Sequence, residues 1–125
     1  MESHDNPRES KPGLMRIWSA FLYSLEGISA AFRYETAFRQ EVFVAVILIP
    51  TALLLPVSGN GKALMLASVL LVLIVELINS AIETAVDRIS PEHHPLSKRA
   101  KDFGSAAVLL SLVSVASIWA LVLFV

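Results

Sequence analysis

Glu76, Asn79, Glu83 and Asp87 interrupt an otherwise apolar run over residues 64–89. On a helix turning 100° per residue they fall within an arc of roughly 80°, a single polar stripe on a Leu/Val/Ile surface. Three carboxylates and an amide on such a face have no packing rationale. A charged side chain at the centre of a membrane helix costs roughly 2.5–3.5 kcal/mol on insertion scales, so such residues face a site or a pathway. Carboxylates in that setting accept protons, hold a divalent cation or line an ion path.

A second acidic pair, Glu35 and Glu41, brackets Thr36-Ala37-Phe38-Arg39-Gln40 just ahead of another apolar segment. Glu35 enters at the same depth as Glu83, so the two could form a two-carboxylate Mg²⁺ site. Magnesium prefers one or two protein carboxylates plus substrate phosphates to an all-protein cage. Arg39 reads equally well as an interfacial anchor with a snorkelling side chain. Lys101-Asp102 precedes Gly104-Ser105-Ala106-Ala107, whose small residues permit close helix approach. Lys101 is either one more basic residue on its side of the membrane or a phosphate contact. Asn79 lies on the acidic stripe, where it could orient a carboxylate, whereas Ser80 suits a helix–helix hydrogen bond.

Two further motifs carry less. Gly59-Asn60-Gly61-Lys62 lacks the four residues that separate the glycines of a Walker loop, and Ser58 to Gly61 is read as a tight hairpin turn. His93 and His94 are loop neighbours whose rings are expected to point apart, unlike metal-binding histidines at i, i+4. A solvated or nucleotide-contacting loop is the reading there.

The elements that must position these groups follow from composition. The chain has 125 residues, 55% hydrophobic and 17% charged, with a mean hydropathy of +0.66. Soluble domains of this length carry more charge, so one small membrane domain over residues 14–125 is expected. A net charge of −1 gives no reason to expect a nucleic-acid partner. The absence of cysteine excludes disulfides, thiolate metal sites and cysteine nucleophiles. The polar start of the chain argues against a cleaved signal peptide, and there is no internal repeat.

Residues 1–13, rich in Pro, Ser and charge, read as a disordered tail. Leu14, Ile17, Trp18, Phe21, Leu22, Leu25, Ile28 and Phe32 recur at helical spacing opposite Arg16, Ser19, Tyr23 and Glu26. That pattern predicts a helix over about 14–33 lying in the membrane interface. Three spans are expected at about 38–57, 62–89 and 104–125. Nine of the ten basic residues fall before the first span or between the second and third, leaving only Lys62 on the other side. The positive-inside rule makes the majority side cytoplasmic, with Glu83, Asp87 and the loop to Asp102 at that boundary.

The motif Glu35-Thr36-Ala37-Phe38-Arg39-Gln40-Glu41, the run Ile74-Val75-Glu76-Leu77-Ile78-Asn79-Ser80-Ala81-Ile82-Glu83 with Val86-Asp87-Arg88, and residues 96–107 resemble the prokaryotic diacylglycerol kinase family. Similarity extends from about Arg16 to near the C-terminus, and the polar residues embedded in a membrane helix make the second block highly specific. Thr36, Pro95 and Lys98 depart from the family's Gram-negative members, which carry Ala, Glu and Gly there.

The resemblance implies an all-α membrane protein, a surface helix plus three transmembrane helices, assembled as a homotrimer in the bacterial inner membrane. It implies transfer of the ATP γ-phosphate to the primary hydroxyl of diacylglycerol, giving phosphatidic acid, with Mg²⁺ as cofactor. Carried over by motif, Glu76 is the general base with Asn79 in support, and Glu35 and Glu83 hold the metal. Arg16, Tyr23, Glu35, Glu83, Glu92, His93, His94, Lys101 and Asp102 contribute to the nucleotide site. Arg16, Ala37, Phe38, Arg39, Gln40, Glu41, Glu76 and Ser105 border the lipid. The resemblance further implies active sites shared between subunits. An undecaprenol kinase of similar frame and a small oligomeric channel lined by Glu76 and Glu83 are the alternatives.

Overall fold

The computed structural model describes residues 12–89 and 92–125. They form four α-helices: α1 (Gly13–Tyr34), α2 (Thr36–Leu54), α3 (Gly59–Ile89) and α4 (Pro95–Phe124). The disordered tail expected over residues 1–13 lies, but for Pro12 and Gly13, outside the described residues. Gly13 itself is already helical. By length and composition, α2, α3 and α4 can each cross a membrane.

The centre of the fold is α3. It packs along α4 most extensively and along α2 less so, while α2 and α4 do not touch each other. Gly61, Met65, Ser68, Val69, Val72 and Glu76 form its buried line. On α2 the buried residues are Phe38, Ala45 and Ala52, seven apart, the spacing of a helix seam. Small residues on that seam let the backbones approach. The α3–α4 pair is antiparallel and tightly registered. Near one end, a Cβ on Gly61 would stand 2.9 Å from Val122 Cγ1. Further along, Trp119 Nε1 donates to Ser68 Oγ at 3.2 Å, and that hydroxyl donates to the Met65 carbonyl at 2.7 Å. At the other end Lys101 Nζ meets Asp87 Oδ1 at 2.7 Å.

Both inter-helix corners next to α2 are closed by a cation from the following helix. Arg39, in the first turns of α2, donates from Nη1 to the Phe32 and Arg33 carbonyls at 3.0 and 3.4 Å. Lys62 likewise donates to the Leu53 carbonyl at 2.8 Å. The last carbonyls of a helix lack internal partners and carry its negative dipole end, so a cation there satisfies both needs. Arg39 therefore does more than snorkel.

Three boundaries differ from the expected ones. Helix α2 stops at Leu54, three residues short, because Pro56 forces Leu55 into extended backbone at φ −67°, ψ 147°. The expected Ser58–Gly61 hairpin turn is largely helix. Ser58 Oγ accepts from Gly61 N at 3.1 Å, starting α3 at Gly59, and the connection is Leu55 to Ser58 instead. Helix α4 begins at Pro95, nine residues before the expected span, since the charged segment up to Asp102 continues the helix out of the apolar layer.

Candidate active site

The stripe on α3 runs from the interior of the fold to its surface. Glu76 is 5% exposed, Asn79 and Glu83 are half-buried, and Asp87 is exposed. Asn79 Nδ2 donates to Glu83 Oε1 at 3.4 Å, one helical turn away. Glu41 of α2 and Glu35 at the α1–α2 corner lie within electrostatic range of Glu76, as does Glu83. Glu35 is a single extended residue between two helices. Its N–H donates to the Ala31 carbonyl, and its own carbonyl accepts from Arg39 N, so the corner holds it from both sides.

Four carboxylates thus share one neighbourhood, and Glu76 forms no ion pair among the described residues. Such a cluster favours a divalent cation. No three of the described acidic or histidine side chains converge on one point closely enough to hold a metal alone. The set fits magnesium, which takes one or two carboxylates and draws its remaining oxygens from phosphates and water.

Toward the end of α3 the stripe meets a cleft of about 620 Å³ between α3, the connection and the first turns of α4. Glu92, His93, His94, Lys101 and Asp102 all line it, and Asp87 and Lys98 join them. The two histidines share this cleft despite being neighbours. His94 caps α4, its Nδ1 accepting from Leu96 N at 3.1 Å, with Pro95 in the first turn. Proline suits that position because its fixed φ is helical and its missing N–H is not needed. The family departure at Pro95 is thus compatible with a capped start of α4 at His94. Both lysines are already countered: Lys101 by Asp87, with Glu83 also in electrostatic range, and Lys98 by Asp102 at 2.6 Å.

Other expected residues lie apart. Arg16 and Tyr23 line a separate cleft of about 340 Å³ on α1, and α1 does not contact α4. Ala37 and Gln40 are exposed, Arg39 and Glu41 half-buried, and Ser105 exposed beside Gly104. Phe38 is only 3% exposed and packs in the α2 seam. The sequence pointed to no role for Lys98, although its i, i+4 spacing to Asp102 is the signature of a helical ion pair. It also left Asp87 without a partner, since nothing local ties it to Lys101.

Comparison with known proteins decides the family. The model of the prokaryotic diacylglycerol kinase family matches residues 22–123. The chain belongs to that family. A diacylglycerol kinase of Pseudomonas aeruginosa is 56% identical over 118 residues, covering 94% of this chain and 96% of that protein. The Haemophilus influenzae diacylglycerol kinase is 50% identical over 112 residues, covering 90% and 95%. That of Escherichia coli K12 is 46% identical over 112 residues, covering 90% and 92%. A diacylglycerol kinase frame accordingly extends over nearly the whole chain, from α1 to α4.

Proposed function

We propose that this chain phosphorylates diacylglycerol with ATP, giving phosphatidic acid and ADP at the cytoplasmic face of a bacterial inner membrane. The observation that carries this is the continuity of the α3 stripe, from the buried Glu76 through Asn79 and Glu83 to the lysine-bearing cleft at Asp87. One end meets the apolar layer, where a lipid hydroxyl arrives, and the other opens on a charged cleft suited to a nucleotide, the cleft of one subunit serving the Glu76 end of its neighbour.

Glu76 takes the proton of the diacylglycerol primary hydroxyl. The oxygen attacks the γ-phosphorus, the bond to the bridging oxygen breaks, and ADP leaves; the proton then departs from Glu76 to water. Phosphoryl transfer needs mainly positioning and charge neutralisation, which a small frame can supply. Glu35 and Glu83 would hold Mg²⁺, which when bound offsets phosphate charge. Lys101 leaves Asp87 for the phosphates, and Asp102, Glu92, His93 and His94 contact the rest of the nucleotide. Arg16 and Tyr23 complete that site, while Ala37, Phe38, Arg39, Gln40, Glu41 and Ser105 border the lipid. The functional unit is a homotrimer whose sites draw on neighbouring subunits.

The deciding assay supplies radiolabelled ATP to the purified chain in micelles holding diacylglycerol or undecaprenol, with products separated by chromatography. Labelled phosphatidic acid is expected. Label on undecaprenol alone would make the chain an undecaprenol kinase, and ion flux in vesicles without lipid-dependent ATP consumption would make it a channel.

A further inference from the structure

Gly104 is the only glycine of α4, and its position opposite Asn79 is specific. A Cβ built on Gly104 would run into Asn79 Oδ1 and stand 3.2 Å from Asn79 Cγ. The amide oxygen therefore occupies the volume that any other residue would fill. It is buried there and accepts no hydrogen bond. An unpaired buried acceptor is costly, so helix packing alone does not account for the pair. The other half of the amide does: Nδ2 donates to Glu83 Oε1. The reverse orientation would set the amide oxygen against the carboxylate, acceptor on acceptor.

We propose that Gly104 is a positioning residue for the metal–nucleotide end of the site. It is the socket that holds the Asn79 amide in one orientation, and the amide in turn fixes one oxygen of Glu83 and leaves the other for the ligand. Gly104 itself touches neither reactant. A methyl group there evicts the amide, and Glu83 then loses its orienting hydrogen bond. This rests on the assignment of Glu83 to Mg²⁺.

The test is a double-mutant cycle of Gly104→Ala and Asn79→Ala in the full chain purified in micelles. It is read both as Mg²⁺ half-saturation of turnover and as Mn²⁺–nucleotide binding by electron paramagnetic resonance. Gly104→Ala alone is expected to weaken metal–nucleotide binding about tenfold. In the Asn79→Ala background, where the colliding group is gone, it should add less than twofold, because its whole effect passes through the amide. Gly61→Ala serves as the packing control: its Cβ also crowds α4, at Val122, so it should lower stability and leave metal dependence unchanged. Equal effects of Gly104→Ala in both backgrounds, or a matching loss in Gly61→Ala, overturn the proposal. Should Gly104→Ala fail to assemble, assembly restored by adding Asn79→Ala supports the socket, and continued failure overturns it. Glu83→Gln separates the two readings. Unchanged Mn²⁺–nucleotide binding there removes the metal assignment, whereas the cycle in turnover still decides whether Gly104 acts through Asn79.

Discussion

Glu76→Gln should make the protein more stable and nearly inactive. The side chain is 5% exposed, has Glu41, Glu83 and Glu35 as electrostatic neighbours, and forms no ion pair among the described residues. An amide of the same shape removes the like-charge repulsion and the charge burial together. The stabilisation is bounded by the roughly 2.5–3.5 kcal/mol that a charged side chain costs at a membrane-helix centre. Turnover should fall about 10²- to 10⁴-fold, the usual contribution of a positioned general base. At 1.36 kcal/mol per decade that is about 2.7–5.4 kcal/mol of barrier. The opposition of the two signs is the diagnostic. Initial rates of labelled phosphatidic acid formation in mixed micelles give the first quantity, and SDS-titrated unfolding gives the second. Turnover within a few-fold of the parent would remove Glu76 from the chemistry. Lost activity accompanied by lower stability would make it an architectural residue instead.

Further outcomes follow from the same frame. Single cysteines at Gly59 and Ser97 should react with an impermeant reagent from opposite faces of the membrane, since they flank α3 and the first turn of α4; labelling of both from one face would refute three spans. Trp119→Phe should lower stability by roughly 0.6 kcal/mol and at most about 1.7, the measured average and maximum for hydrogen bonds between membrane helices. It should leave turnover intact, because Ser68 lies about 12 Å along α3 from Glu76 at 1.5 Å per residue; a larger loss of rate than of stability would count against this. Inactive Glu76→Gln and inactive Lys101→Leu chains, unfolded together and co-refolded, should regain activity, because mixed trimers can draw both intact halves from different chains. A mixture that forms trimers yet stays as inactive as its parents would place each site within one chain.

The stripe on α3 was legible because period and chemistry coincide: four polar groups on one arc of an apolar helix read the same way in any surroundings. The helix α1 and the three helices long and apolar enough to cross a membrane were equally plain, being set by local hydropathy. The first turns of α4 were not. Lys98, Arg99, Lys101 and Asp102 look like loop against an apolar background, and only the His94 cap with Pro95 behind it marks where the helix starts. Gly59 and Gly61 have turn composition, yet both are helical, and a Cβ at Gly61 would stand 2.9 Å from Val122 Cγ1 of α4, a constraint set 61 residues away. Gly104 was read as one small residue among several suited to helix packing, while its partner is the specific amide of Asn79. The pairs Ser68–Trp119 and Asp87–Lys101 belong to the same class, fixed by the antiparallel register of α3 and α4.

That register also shows what the proposed homotrimer would add to a single chain. With α2 and α4 lying against α3 but not each other, the three helices form an open layer rather than a closed bundle. Only 6% of the spanning window of α4 is buried, against 28% for α3, so most of its surface is left for lipid or for another copy. Lipid tails can cover apolar residues, but they cannot exclude water from a charged cleft or supply polar partners at its rim. The groups expected to bind nucleotide are meanwhile divided, Arg16 and Tyr23 on α1 and Lys101 and Asp102 on α4, two helices that do not touch. In the proposed trimer a second copy would bring its own α4 cleft to the face of the first on which Glu76 lies. Subunit association in that proposed trimer would do for this small chain what a second domain does for a soluble kinase: it would supply the missing wall, and with it the dry, opposed surfaces between which a lipid hydroxyl and a phosphate can be held in line.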